Sequence, residues 1–266
     1  MKRFVENPTD VIVEGKTDLA NLAPRTTVSI LVDCSMSMEP HVPKLHLASQ
    51  EFLKALDGSW VTRDTVEIGF YHFATNIIGQ DLTPAYHYLN HALPESISGI
   101  TNLGHALEVV LDLRKRRSEI LREAGIGLRP GVLVLLSDGE VTDDVNKSLK
   151  RLDQLRQEQR FEILPIAVHP SHAETLQHLF QTQVVRLEEF DFSQFFRNLA
   201  GAISISSQSQ LGHEPNIQLL IEQQDRQAKR MVRFTAKPNS DHSPRRPEPR
   251  FDSFRRLPGT DDATDA

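Results

Sequence analysis

A doubly wound α/β fold is predicted for this chain, with a mostly parallel central sheet, one antiparallel edge strand and helices on both faces. Strand-like and helical patterns alternate along residues 25–205, which is typical of parallel strands joined by helical crossovers. Residues 132–136 are all aliphatic, as expected for a central strand that is covered on both faces. Two apolar segments end in carboxylates, Asp33 and Asp138. In such sheets, ligands bind beyond the carboxyl ends of the strands.

The first half of the sheet follows from apolar segments and turn residues. A strand is predicted over 26–33, and a helix from Val42 to Leu56 that stops at Gly58, since glycine ends helices. A second strand is expected from Thr65 to Ala74. A tight turn would lead from it to the short segment Ile77–Ile78, and this pair forms the predicted antiparallel edge.

Two helical patterns flank the aliphatic strand, which we expect beside the first strand. One helix begins near Thr101 and has apolar residues at three- and four-residue spacing. Its basic run Arg114–Arg117 is predicted to be a solvated face and not a nucleic-acid contact, because aromatic residues are not interleaved with it. The other helix covers about 145–158, and Asp143 or Asp144 is predicted to cap it.

The remaining elements continue the alternation. A strand is predicted over Phe161–Val168, where Pro165 suggests a bulge or an edge position. A short helix follows Ser171, and another strand covers 183–187. The final helix carries a regularly spaced apolar stripe: Phe192, Phe195, Phe196, Leu199, Ala200 and Ile203.

The composition divides the chain into four parts. Residues 1–24 are predicted to be an N-terminal extension, and 25–210 a single α/β domain. Residues 211–236 are predicted to be a C-terminal extension, and their pattern is consistent with either a helix or a strand pair. Residues 237–266 are rich in Pro, Arg, Asp and Ser and are predicted to be a disordered tail.

Charge and cysteine content exclude several classes of protein. The net charge of −6 provides no field that would attract nucleic acid or an anionic membrane. No segment has the length and apolarity of a membrane span, and the acidic N-terminal residues do not resemble a secretory signal. The single cysteine, Cys34, excludes an internal disulfide and suits a reducing compartment, so we expect a cytoplasmic location. Its side chain is predicted to turn into the sheet.

Oxygen-bearing side chains follow both aspartate-terminated strands and open the helix near residue 101. The candidates are Asp33, Ser35, Ser37, Thr101 and Asp138. Magnesium binds oxygen ligands and usually keeps several of its waters. The three hydroxyls could bind Mg²⁺ directly, with Mn²⁺ or Ca²⁺ as alternatives, while the carboxylates bind it or orient the hydroxyls and waters.

This pattern resembles the metal-ion-dependent adhesion site (MIDAS) of von Willebrand factor A domains. The similarity consists of Asp33-x-Ser35-x-Ser37, Thr101 at the start of a helix, and Asp138-Gly139 after an aliphatic strand. The segment 137–144, Ser-Asp-Gly-Glu-Val-Thr-Asp-Asp, is also similar to the bacterial TerY-like branch, which is associated with tellurium-resistance and stress operons. Some of those relatives carry a cysteine-rich zinc module, which a chain with one cysteine does not have.

The resemblance implies a non-enzymatic scaffold that uses the metal to capture an Asp or Glu of a protein partner. Implied partners are the kinase, phosphatase or defence proteins of a stress-response or phage-defence operon. Met36, Met38, Asn102 and Glu140 are the candidate partner contacts, although the two methionines could equally be packing residues. One alternative is a Mg²⁺-dependent phosphohydrolase, which would want a second carboxylate where Ser35 stands. The other is a metal-free structural adaptor.

Overall fold

The computed structural model describes these residues: 3–4, 10–88, 99–138, 140–158, 160–168, 172–187 and 191–235. The chain divides into two units, Met1–Ala228 and Lys229–Ala266. In the second unit, only the helical residues 229–235 are described. The predicted disordered tail, 237–266, lies outside the described residues.

An eight-stranded sheet runs through the first unit in the order β1-β2-β5-β4-β3-β6-β7-β8. The strands are β1 Arg3–Phe4, β2 Val11–Val13, β3 Thr26–Asp33, β4 Val66–Phe73, β5 Ile77–Pro84, β6 Gly131–Ser137, β7 Phe161–Ala167 and β8 Val185–Arg186. Strands β4 and β5 pair antiparallel, as do β1 and β2. All other neighbouring strands are parallel, and β6 lies beside β3 as predicted.

Eight helices connect and cover the described strands. They are α1 Val42–Asp57, α2 Trp60–Thr65, α3 Ala85–Tyr88, α4 Leu103–Glu123, α5 Asn146–Gln157, α6 Ala173–Phe180, α7 Phe192–Gln208 and α8 Ile217–Thr235, and a 3-10 helix spans Met36–His41. Alternate residues of the central strands enter opposite layers. Val134 packs in the core with helices α1 and α7, whereas Leu133 and Leu135 pack in the core with α4 and α6. Helices on both faces confirm the predicted fold class.

The antiparallel pair is confirmed, but β5 is longer than predicted and is not at the edge of the sheet. Strand β2, Val11–Val13, pairs in parallel with β5 through Val11 and Ile78, and β1 extends the sheet beyond β2. Three consecutive β-branched residues favour a strand. Because charged residues surround this segment, the sequence alone left open whether it adds a short strand or packs locally.

The predicted solvated basic run is wrong for two of its four residues. Arg114 and Arg117 are buried, with 8% and 4% of their surface exposed. The three-residue spacing places both on the side of α4 that faces the sheet. Arg117 Nε donates a hydrogen bond of 2.6 Å to Oε2 of the buried Glu67, so the charge is paired inside the protein.

Pro165 lies within β7, between β6 and β8, and not on an edge strand. Its neighbour in β6 is Leu135, and the pairing continues without a register shift. However, β8 pairs only with Ile166 and Ala167. At Pro165, strand β7 therefore has one partner strand, which is a local environment that tolerates proline.

None of the described helices is both long and apolar enough to cross a bilayer.

Candidate functional site

The first predicted segment of the site lies where β3 ends. Asp33 is the last residue of β3 and is fully buried. Its Oδ1 accepts a hydrogen bond of 2.9 Å from the backbone N–H of Ser35. Its Oδ2 accepts one of 2.8 Å from the hydroxyl of Ser137, at the end of β6. Both oxygens are therefore held, and the ends of the two strands are joined through this carboxylate.

Two of the predicted hydroxyl ligands lie together in the turn after Asp33. The Oγ atoms of Ser35 and Ser37 are 3.1 Å apart. Ser35 is buried and Ser37 is exposed, so the pair reaches from the end of the sheet to the surface. The turn is closed by a hydrogen bond of 2.9 Å from the N–H of Met38 to the carbonyl of Ser35.

The carboxylates at the site carry negative charge in a desolvated position. Burial raises the pKa of Asp33 to about 6, hydrogen bonds from Ser35 and Ser137 oppose the rise, and the charge of Asp138 adds to it. Asp138 is also buried, with 5% of its surface exposed. Among the ion pairs of the described residues, none includes Asp33 or Asp138. Buried carboxylates without a basic partner favour a bound cation.

Thr101 is connected to the loop that follows Asp138. It is buried, and its carbonyl accepts hydrogen bonds from the N–H of Thr142 at 3.0 Å and from the hydroxyl of Thr142 at 2.8 Å. Asp138 Oδ1 accepts from the N–H of Glu140 at 3.2 Å. The hydrogen bond between Ser137 and Asp33 connects this loop to the first segment. Hydrogen bonds thus connect the end of β6 with the end of β3, and the loop after β6 with the segment that precedes α4.

Asp143 supports the same loop in a way that differs from the prediction. Its two carboxylate oxygens accept from the N–H groups of Gly104 at 2.9 Å and His105 at 2.8 Å. It therefore satisfies the free N–H groups at the start of α4, the helix that follows Thr101. The adjacent Asp144 accepts from the N–H of Asn146, the first residue of α5, at 2.9 Å.

Asp10 and His105 contribute a further connection that the sequence did not suggest. His105 Nε2 is 2.7 Å from Oδ2 of the buried Asp10, and Oδ1 of Asp10 accepts from the N–H of Ile77 at 3.1 Å. The contacts join α4, β5 and the N-terminal segment. Because 95 residues separate Asp10 from His105, no local pattern indicates this pair. Ser137 is different, because it directly precedes Asp138 and the sequence motif could have identified it.

The predicted partner contacts are not equally accessible. Met36 has 71% of its surface exposed, whereas Met38 is fully buried in the core. Met38 is thus a packing residue, which is one of the two alternatives that the sequence left open for it. Glu140 is exposed. Asn102 is half-buried, and its side-chain amide donates to the carbonyl of Thr75 at 2.9 Å.

Cys34 packs away from the oxygen side chains. It is buried in the core layer of α1, and its N–H donates to the carbonyl of Phe73 at 2.8 Å. Burial, and then the charge of Asp33, raise the pKa of the thiol to about 12. A neutral, buried thiol is not a nucleophile at ordinary pH.

The chemistry of this donor set fits a hard divalent cation. The five predicted ligands carry hydroxyl and carboxylate oxygen, which magnesium prefers over nitrogen and sulfur. Within the described residues, no group of three or more His, Cys, Asp or Glu side chains could hold a metal ion. A metal at this edge would therefore depend on the serine and threonine hydroxyls.

Comparison with known proteins identifies the family. The solved structures that resemble this chain include the open form of the pilus adhesin SpaC from Lactobacillus rhamnosus GG, at 14% identity and a TM-score of 0.51. This match covers 68% of this chain and 30% of the adhesin. Proximal thread matrix protein 1 from the mussel byssus matches at 16% identity and a TM-score of 0.48, covering 66% of this chain and 47% of that protein. An aerotolerance-related membrane protein from Bacteroides fragilis matches at 15% identity and a TM-score of 0.45, covering 65% and 95% of the two chains.

At these identities the adhesin supports the fold alone, and this chain corresponds to less than half of either the adhesin or the matrix protein. No curated protein matches the sequence. The model of the von Willebrand factor type A domain matches residues 27–198. Because this match spans more than half of the 266 residues, the chain belongs to the von Willebrand factor type A domain family.

Proposed function

We propose that this protein is a metal-dependent protein-binding module that captures an acidic residue of a partner. Ser35, Ser37 and Thr101 would hold Mg²⁺, or Mn²⁺ or Ca²⁺ in its place, with Asp33 and Asp138 supporting them. The observation that carries the proposal is the pair of serine hydroxyls 3.1 Å apart, next to a buried Asp33. Domains of this family are interaction modules, which supports a binding role.

Neutral ligands suit this role. A cation held mainly by hydroxyls keeps much of its charge, and it offers a coordination position to an incoming carboxylate. Asp33 is held by Ser35 and Ser137. We therefore assign Asp33 a positioning role, in which it orients the turn that carries both serines.

The partner would approach over the exposed part of the site. Met36 and Glu140 are exposed there, and an apolar side chain beside the metal would surround the partner's aliphatic stem. Glu140 would favour partners that carry a basic residue near the captured Asp or Glu. Asn102 is the remaining candidate contact.

The wider context is proposed from the motif resemblance. The segment 137–144 supports placement in the TerY-like branch. We propose a bacterial, cytoplasmic scaffold of a stress-response, tellurium-resistance or phage-defence operon, whose partners include a kinase, a phosphatase or a defence protein. The buried single thiol is compatible with a reducing compartment.

A non-enzymatic role fits the identity of residue 35. A phosphohydrolase of this general architecture needs a second carboxylate as acid–base group two residues after the first, and this chain has Ser35 there. The buried Asp33 is bonded at both oxygens within the described residues. It is thus poorly placed to attack a substrate.

Calorimetric titration of Mg²⁺ and Mn²⁺ into the full chain tests the metal site. Saturable binding is expected for the native protein, and Thr101→Ala should lose it. Ser59→Ala is the matched control. The Ser59 hydroxyl makes no capping hydrogen bond at α2, and α2 leads into the start of β4, whereas the predicted metal site lies where the strands end. Equal binding by the native protein and Thr101→Ala would contradict the assigned ligand.

Affinity capture from a bacterial lysate tests the partner. Proteins retained in Mg²⁺ should be released by EDTA and should not bind Thr101→Ala. Partners that stay bound in EDTA, and equally to both proteins, would instead support the metal-free adaptor.

A further inference from the structure

A second site lies at the amino-terminal ends of the strands, whereas the predicted metal site lies at their carboxyl ends. A cavity of about 690 Å³ opens beside the start of β6, the start of β7 and the start of α8. Its volume is in the range of small-molecule sites. Its walls carry five arginines: Arg114, Arg122, Arg129, Arg156 and Arg160.

The two glutamates that line the cavity have other roles. The carboxylate of Glu162 accepts from the N–H groups of Ile217 and Gln218 at 3.1 and 2.9 Å. It therefore caps the start of α8. Glu214 lies 3.7 Å from Nη1 of Arg129. These carboxylates do not neutralise the other four arginines.

Arg156 and Arg160 have partners near the surface. Arg156 Nη1 lies 3.5 Å from Asp153 and donates to the carbonyl of Phe180 at 3.0 Å. Arg160 Nη1 lies 3.0 Å from Glu158. Such exposed ion pairs contribute little and exchange readily for a better anion. Within the described part of the chain, Arg114 and Arg122 form no ion pair with a carboxylate.

Arg114 is the unusual residue of this cavity, because it is a buried cation that no carboxylate of the described residues pairs with. Only 8% of its surface is exposed. Its Nη2 donates to the carbonyl of Arg160 at 2.8 Å, and its guanidinium lies over the ring of Phe161 at 4.2 Å. Its Nε has no hydrogen-bond partner among the residues that the structure describes. A buried, charged donor that lacks an acceptor is costly.

The glycine at position 131 leaves the space that Arg114 occupies. A Cβ added to Gly131, the first residue of β6, would lie 2.4 Å from both Nε and Nη2 of Arg114. The guanidinium can therefore lie against the strand only because residue 131 is glycine. Burial, and then the charges of Arg160 and Arg122, lower the pKa of Arg114 to about 10, so the group still carries its charge at neutral pH.

We propose that this cavity binds a small phosphate-bearing anion with two or more negative charges. Arg114 would donate from the floor and Arg122 from the rim, with Arg156 and Arg160 turning from their surface partners toward the ligand. Guanidinium groups match phosphate oxygens in shape and charge. The recessed position of Arg114 favours a compact ligand over a nucleic-acid backbone, which would need an open surface.

Calorimetry on the full chain tests this proposal with inorganic pyrophosphate and ATP as probes, at matched ionic strength. The protein is first treated with EDTA and then dialysed into metal-free buffer without EDTA, because EDTA is itself a multivalent anion; the metal site then makes no contribution, and the result is independent of the proposed function. Both probes are expected to bind saturably. Equal affinity would indicate recognition of phosphate alone, and tighter binding of ATP would indicate a nucleotide.

Three variants locate the binding. Arg114→Gln should abolish it, and Arg122→Gln should weaken it by about tenfold, as expected for one charge-assisted hydrogen bond. Arg122 is exposed, so its replacement keeps the test valid if Arg114→Gln fails to fold. Lys115→Gln is the matched control, because Lys115 is exposed on the same helix and does not line the cavity.

Two results would overturn the proposal. One is the absence of saturable binding of either probe at millimolar concentration. The other is equal weakening by Lys115→Gln and Arg122→Gln, which would show that the anions respond only to net charge.

Discussion

Replacement of Glu67 by glutamine should destabilise the fold strongly, although it changes no predicted ligand. Glu67 is fully buried in β4. Its Oε2 accepts from Nε of Arg117 at 2.6 Å, and its Oε1 lies 3.9 Å from Nε of Arg25. Arg25 and Arg117 have only 1% and 4% of their surface exposed. Glu67→Gln would leave both guanidinium charges buried without a carboxylate.

The magnitude follows from the burial of all three groups. Removal of one partner from a buried ion pair typically costs about 3–5 kcal/mol, because the remaining charge stays desolvated. The amide oxygen of glutamine can still accept from Arg117, and Arg117 also donates to the carbonyl of Lys16 at 2.5 Å. These contacts place the expected loss near the lower limit, at about 3 kcal/mol. Asp57→Asn provides the control, since the pair between Asp57 and Arg63 at 3.7 Å is exposed and should contribute less than about 1 kcal/mol.

Urea unfolding followed by far-ultraviolet circular dichroism measures these losses. Trp60 is a poor probe because 78% of its surface is exposed. The double variant Glu67→Gln/Arg117→Met should lose less than the sum of the two single variants, because the two side chains are coupled. A loss for Glu67→Gln no larger than that for Asp57→Asn, or additive losses for Glu67→Gln and Arg117→Met, would show that Glu67 does not stabilise the buried arginines.

Three further predictions concern pH, the candidate site and the arginine-lined cavity. Burial, and then the charge of His46, lower the pKa of His72 from 6.5 to about 4. As the pH falls below 6.5, this histidine is protonated in the unfolded chain before it is protonated in the folded protein. The free energy of unfolding should therefore fall as the pH drops. His72→Gln should reduce this loss by about 2 kcal/mol between pH 7.5 and 5 in urea unfolding. Gly104→Ala should weaken Mg²⁺ binding by about tenfold in calorimetry, because a Cβ there would lie 2.3 Å from the carbonyl of Asp144. Gly131→Ala should lower the free energy of unfolding by about 1–3 kcal/mol, since its Cβ would overlap Arg114.

Each of these predictions has a contradicting result. For His72, it is a slope of stability against pH that is the same in the native protein and in His72→Gln. Asp81, whose pKa burial raises to about 6, has the opposite effect on stability, but it is present in both proteins. For Gly104, it is native Mg²⁺ affinity. For Gly131, it is a loss no larger than that of Gly58→Ala, where the nearest atom to an added Cβ is 3.4 Å away.

The regular elements of the sheet could be predicted because their patterns are local. The apolar residues of β3 and β6 and the periodic spacing in α4 identify these elements without knowledge of their neighbours. The edge of the sheet could be predicted only in part, because the sequence left open whether Val11–Val13 adds a short strand or packs locally. Strand β2 is three residues long, and it is stabilised by pairing with β5, more than sixty residues away in sequence. A short strand gains its stability from its partner and not from its own residues.

The candidate site shows the same division. Asp33 and Asp138 were identified because a carboxylate after an apolar strand is a local signal. The cap of α5 was left open between Asp143 and Asp144, and the structure selects Asp144. The bond from Asp143 to α4 was not foreseen, because capping by a residue 39 positions away leaves no trace in the local pattern. Met38 was left open between packing and contact because its environment depends on the turn after Ser35. The structure places it in the core.

The sequence by itself determined the fold class, the central strands and the oxygen-bearing residues at their ends, since these depend on residue type and short-range periodicity. Only the tertiary structure decided which charges are buried and what they face. Arg114 and Arg117 look alike on a helix, yet Arg117 meets Glu67 and Arg114 meets Phe161, Arg160 and an open cavity. The free energy of a buried charge depends on the groups around it in space. Those groups come from distant parts of the chain, so their effect appears only when the sheet has formed.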